Sequence, residues 1–123
     1  MPKLNPSIFR MLLDVQDSVS KYEMHVKEGD TRTRVIEATL ADGGCPFEIP
    51  TGANAVMYAN NGTETTNYAV TIQTDGRLTL NIPAEMMASA GEYNCEFTLD
   101  ATYSTDGYML TTPSFKIIVD ETV

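Results

Sequence analysis

Polar and apolar residues alternate with a period of two along most of this chain, and that rhythm limits the fold more than any other feature. Successive side chains of a β-strand point to opposite faces, so an alternating run buries one face and wets the other; a helix would need apolar residues three and four apart. Tyr22-Glu23-Met24-His25-Val26-Lys27 alternates in this way, as do Ile36, Ala38 and Leu40 against Glu37 and Thr39. Tyr68, Val70 and Ile72 repeat the pattern, followed by Leu78, Leu80 and Ile82. Tyr93, Cys95, Phe97 and Leu99 form the clearest inward set, which puts Cys95 in the core, and Phe115, Ile117 and Val119 end the series.

Turn signals stand between the runs: Asp42-Gly43-Gly44, Asn61-Gly62, Asp75-Gly76 and Asp106-Gly107. Tight hairpin turns place residues at positive φ, which glycine adopts without steric penalty, so TIQTDGRLTL is the strongest local hairpin. Strands are also expected around Ala55–Ala59 and over Ile8–Asp14, although both segments are apolar on both faces. One stretch breaks the rhythm. Pro83-Ala84-Glu85-Met86-Met87-Ala88-Ser89-Ala90 has proline near a first turn and Gly91 placed as a stop, which predicts a helix of about two turns across one end of the sheets. Short strands with regular turns predict an all-β fold, specifically an immunoglobulin-like antiparallel β-sandwich with one short helix. The chain has no Trp, so the Cys…Trp…Cys core of an antibody domain is excluded. A single domain is expected over 8–120, with residues 1–7 and 121–123 as tails.

Charge narrows the range of partners. Seventeen acidic residues against eight basic ones give a formal charge of -9, which repels phosphate backbones and anionic lipid, so neither nucleic acid nor a membrane is an expected partner. The opening MPKLNPSIFRMLLDV lacks the long apolar run of a signal peptide, and no stretch reaches the roughly 18 apolar residues of a spanning helix. Synthesis in a cytosol, as a soluble protein, is the expectation. Cys45 and Cys95 are then expected as two buried, reduced thiols, and their spacing fits no metal or redox motif.

Chemistry-bearing motifs are scarce. His25, the one histidine, falls on the polar face of a strand beside Glu23 and Lys27, neither of which is a nucleophile. Glu92, Glu96 and Asp100 share an outward strand face, where evenly spaced carboxylates are ordinarily solvated rather than paired for glycoside hydrolysis. VKEGDT and the Asp-Gly turns offer oxygen atoms without the ligand order of a calcium loop. Asn61-Gly62-Thr63 matches a glycosylation sequon but reads first as a turn. Tyr58, Tyr103 and Tyr108 are candidates to reach the surface near loops. No catalytic residue, cofactor or metal site is expected.

Taken in order, the segments resemble a known family. LLDV at Leu12–Val15 and VKEGDTRTRVIEATL at Val26–Leu40 resemble the opening of the N-terminal domain of phage baseplate upper proteins. Gly44-Cys45-Pro46-Phe47 and Ile49-Pro50-Thr51-Gly52-Ala53 are similar to the family's G-x-P-Y-D-L-T-G-A segment, AGEYNCEFTL to its A-G-x-Y-x-x-E-F strand, and LTTPSFKIIV to its closing strand. Pro50 and Cys45 depart from the family's usual residues. The resemblance spans about 8–120 and implies a β-sandwich of the tail baseplate of phages of Gram-positive bacteria, without catalytic residues or cofactor. It implies a place in the virion, other phage tail and baseplate proteins as partners, and a longer protein, possible as a homo-oligomer, whose later parts carry coiled-coil and receptor-binding modules. The alternative from the residues alone is a carbohydrate-binding or adhesin-type immunoglobulin-like module. For docking, the N-terminal run points to its outward residues, Phe9 with Met11 or their neighbours, as partner-binding residues, because a strand apolar on both faces must be covered by its own fold or by a partner.

Overall fold

The computed structural model describes residues 7–29, 33–50, 52–100 and 109–122. Within them the alternating runs become strands: β1 Ser7–Asp14, β2 Val19–Lys27, β3 Arg34–Asp42, β4 Cys45–Pro46, β5 Asn54–Asn60, β6 Thr65–Ile72, β7 Leu78–Asn81, β8 Gly91–Asp100, β9 Met109–Thr111 and β10 Ser114–Asp120. Met24, Val26, Ile36, Ala38, Leu40, Leu78, Cys95, Phe97, Leu99, Phe115, Ile117 and Val119 are all buried, in one cluster that also takes in Met11, Leu13 and Met57. Removing a Leu, Ile or Phe side chain from water is worth about 1.5–3 kcal/mol, so this cluster is the main source of stability. The alternation therefore identified the inward face of nearly every strand.

Hydrogen bonding follows one path, β1-β3-β7-β6-β5-β8-β10-β2. Its corner is β6, which pairs with β5 from Thr65 to Val70 and with β7 at Thr71 and Ile72. The sheet folds back around the core until its two ends approach. There the Leu12 backbone N–H donates to the Tyr22 hydroxyl at 3.0 Å, and the Phe9 and Tyr22 rings meet edge-on with centroids 6.3 Å apart. The result is an all-β, mixed and nearly barrel-shaped sheet.

Two features differ from expectation. The pairing is not purely antiparallel: β1 runs parallel to β3 and β10 parallel to β2. Alternation determines which face of a strand is buried but says nothing of its neighbour or direction. Nor does a helix form at Pro83-Ala90. Three short bonds, Met86 N–H to Pro83 O, Met87 N–H to Ala84 O and Ala88 N–H to Glu85 O at 3.0, 3.1 and 3.4 Å, make turns only. Partners outside the segment take what an α-helix would use: Gly29 N–H donates to Met87 O at 2.8 Å, and Ala90 N–H to Glu28 Oε2 at 3.0 Å. Met86 and Met87 are both buried with Ile82, so the segment closes part of the core. A two-turn helix is marginal in isolation, and these tertiary contacts outweigh its propensity. Gly91, expected as a helix stop, instead begins β8.

Asp14 locks the end of β1 to the turn between β3 and β4. Gly43 and Gly44 adopt φ of 60° and 84°, a region costly for residues with a Cβ. Asp14 Oδ1 accepts from Gln16 N–H at 3.0 Å and Gly43 N–H at 2.9 Å, and Oδ2 from Gly44 N–H at 2.8 Å. These donors, from Gln16, Gly43 and Gly44, hold its carboxyl below the usual carboxylate range. A pKa depressed by folding stabilises the native state above the unfolded pKa, and that contribution is lost as pH falls through the folded value. Asp14→Ala is accordingly expected to lower the melting temperature at neutral pH, with the gap to wild type narrowing under acid conditions. Thermal melts across pH check this; a gap of constant size would assign the effect to something other than the carboxylate.

Candidate functional site

His25 stands on the outward face of β2 with its side chain 52% exposed. Its Nδ1 lies 3.0 Å from Asp120 Oδ2 and its Nε2 3.9 Å from Glu23 Oε2. Both ring nitrogens face carboxylates, one on the neighbouring strand and one on β2 itself, and among the described residues no hydroxyl or thiol is bonded to the ring, so the arrangement is a polar side-chain contact rather than a nucleophile and base. Of the carboxylates on β8, Glu92 is taken up by Lys116, whose Nζ lies 2.9 Å from Oε1. No group of three or more His, Cys, Asp or Glu side chains is placed to hold a metal among the described residues. No helix among them is long and apolar enough to cross a membrane. Asp30 and Thr31 of VKEGDT, the Asp106-Gly107 turn, Tyr103 and Tyr108 lie outside the described residues.

Asn61 serves its turn, its Oδ1 accepting from Thr63 N–H at 3.0 Å and Glu64 N–H at 2.9 Å. The two cysteines differ. Cys95 is buried, and burial pushes its thiol up to about 12. Cys45, also expected to be buried, is exposed, because the two-residue β4 pairs only with the end of β3 at Ala41 and Asp42.

The faces of β1 bear on the expected docking residues. Phe9, Met11 and Leu13 point inward: Met11 is 3% exposed, and Phe9 is half-buried against the core and Tyr22. The outward residues are Ile8, Arg10 and Leu12, with Ile8 41% and Leu12 57% exposed. Arg10 was the signal that could have settled this. A charge on a strand that is apolar on both sides marks the solvent face, and residues two places away share it. Arg10 Nε lies 3.4 Å from Glu37 Oε1 on the paired strand. Beside Leu12 a groove of about 290 Å³ opens, lined by Leu12, Ser20, Leu40, Pro46 and Pro113 with Asp17.

The described residues form a nearly closed, mixed all-β sheet whose terminal strand β1 carries Ile8 and Leu12 outward. The chain belongs to the family of baseplate upper protein N-terminal domains: residues 8–123 match the family described as the BppU N-terminal domain. Its fold is similar to that of a solved structure, the N-terminal domain of phage TP901-1 ORF48. The TM-score is 0.72 at 14% identity, over 93% of this chain and 98% of that one. Among curated proteins, no sequence matches the chain. Family membership carries a structural role in the phage baseplate and a location in the virion tail.

Proposed function

We propose that this domain anchors its protein in the tail baseplate by docking other baseplate proteins through the outer face of β1, and that in the full-length protein it supports host-attachment modules. It acts without catalysis or cofactor and is made in the host cytosol before assembly. The observation that carries the reading is the exposed pair Ile8 and Leu12. Two large apolar side chains on one face of a terminal strand, flanking Arg10 and with a partly apolar groove beside Leu12, suit a protein interface, where apolar residues and arginine are combined. Phe9 contributes from the seam with Tyr22, while Met11 supports the strand from within.

Leu12→Glu is expected to leave the domain folded, within about 0.5 kcal/mol of wild type as for surface positions, while preventing incorporation into tails. Complementation of a deletion phage, with tails examined for the protein, reads this out. Normal incorporation of both Leu12→Glu and Ile8→Glu proteins would place docking elsewhere. Phe9→Glu is a poorer probe, because a charge at the half-buried ring position would disturb the seam itself.

A further inference from the structure

We propose that the outer face of β5 and β8 holds a binding site for a neutral oligosaccharide. Across the sheet Tyr58 faces Asn67 on β6 and Glu96 on β8, and Asn60 faces Thr65 and Asn94. Residues two apart share a face, and Met57, Ala59, Cys95 and Phe97 between them are buried, so these side chains all point outward. There the surface sinks into an open groove of about 280 Å³ that extends to Thr65 and Ser114.

The hydrogen-bonding inventory separates this groove from the rest of the face. Nearby polar side chains are already partnered, Lys116 with Glu92 at 2.9 Å and His25 with Asp120 at 3.0 Å. Asn60 is spent on shaping the wall, its Nδ2 donating to Thr65 Oγ1 and its Oδ1 accepting from Gly62 N–H, both at 2.7 Å. The Tyr58 hydroxyl, the Asn94 amide and the Glu96 carboxylate make no side-chain hydrogen bond to any described residue. Three unpaired polar groups and an aromatic ring 37% exposed thus converge on one depression.

Their chemistry selects the ligand. β5 lies between β6 and β8, and β8 between β5 and β10, so these strands have no free edge for a peptide to extend, and recognition falls to side chains alone. A broad protein partner would need a far larger contact surface than this groove of about 280 Å³ offers. An anion would meet Glu96 with no unpaired cation in the groove, on a chain of formal charge -9. A neutral sugar meets every group: its C–H face stacks on the Tyr58 ring, its hydroxyls donate to Glu96, and they both donate to and accept from Asn94.

Titration of the isotope-labelled chain with chitotetraose and maltotetraose, followed by backbone amide shifts, tests the proposal. Saturable shifts confined to residues 56–60, 65–67 and 94–98 are expected with at least one of them. Tyr58→Ala should weaken that binding about three- to tenfold, the range of one aromatic contact, and Glu96→Gln should weaken it too, while Thr71→Ala on another part of the surface should not. No saturable shift with either sugar, shifts centred elsewhere, undiminished binding by both groove variants, or tighter binding of a sulfated oligosaccharide would overturn it.

Discussion

Phe97→Ala is expected to cost the domain about 3–5 kcal/mol, a large part of the 5–15 kcal/mol by which domains are ordinarily stable. Phe97 is fully buried in β8, opposite Met57 of β5, and its ring lies 5.2 Å from that of Phe115 on β10 at an interplanar angle of 31°. It therefore joins three consecutive strands, and neighbours held in a hydrogen-bonded sheet collapse poorly into the space its ring would leave. The cost is the lost transfer energy plus the energy of an unfilled cavity. Urea unfolding should show a lower midpoint with an unchanged slope, and a melting temperature down by at least about 10 °C. Phe97→Leu, which refills much of the volume, should lose distinctly less. A loss below about 1 kcal/mol for the alanine variant would mean that the core is not organised around this ring.

The inward status of Phe97 was legible because its neighbours Glu96 and Thr98 are polar and the rhythm of β8 is unbroken. What could not be read was which strands flank it. Pairing partners depend on long-range closure, and the parallel pairs β1 with β3 and β10 with β2 join segments that no short turn connects. Local hairpins fared better: Asp75-Gly76 links β6 to β7 with Ile72 opposite Leu78, as its turn chemistry implied. At Met86 and Met87 local propensity pointed to a helix, while the bonds through Gly29 and Glu28 that take its place come from residues 58 and 62 positions earlier. The faces of the docking strand were hard to read for a smaller reason. With apolar residues on both faces, its parity rested on Arg10 alone, and the structure puts Ile8 and Leu12, not Phe9 and Met11, on the outside. The groove by Tyr58 was only partly visible: the tyrosine stood out as a surface candidate, but its company of Asn94 and Glu96 arises from strand register.

Thr112→Val should destabilise the domain by about 1–3 kcal/mol, the penalty for leaving a buried donor without an acceptor. Between the pairs Cys95 with Phe115 and Thr98 with Thr111, β8 advances three residues while the opposing chain advances four, so an extra residue is accommodated where Thr112 and Pro113 separate β9 from β10. Proline has no N–H to give to a ladder, and the ordinary exchange of backbone bonds with Phe97 fails at this bulge. Thr112 replaces it with one residue's two groups: its N–H donates to Phe97 O at 2.9 Å, and its Oγ1 accepts from Phe97 N–H at 3.1 Å. The hydroxyl hydrogen goes to Pro113 O at 3.3 Å, and the residue is 3% exposed, so water has little access to substitute. Valine matches threonine in shape but offers no acceptor, leaving the Phe97 amide unpaired beside the core. Thr112→Ser keeps the oxygen and should recover most of the loss. Amide exchange gives a local reading, since the Phe97 N–H should exchange faster in the valine variant than in the serine one. If valine proves neutral and that amide stays protected, the bulge is held by something other than this hydroxyl.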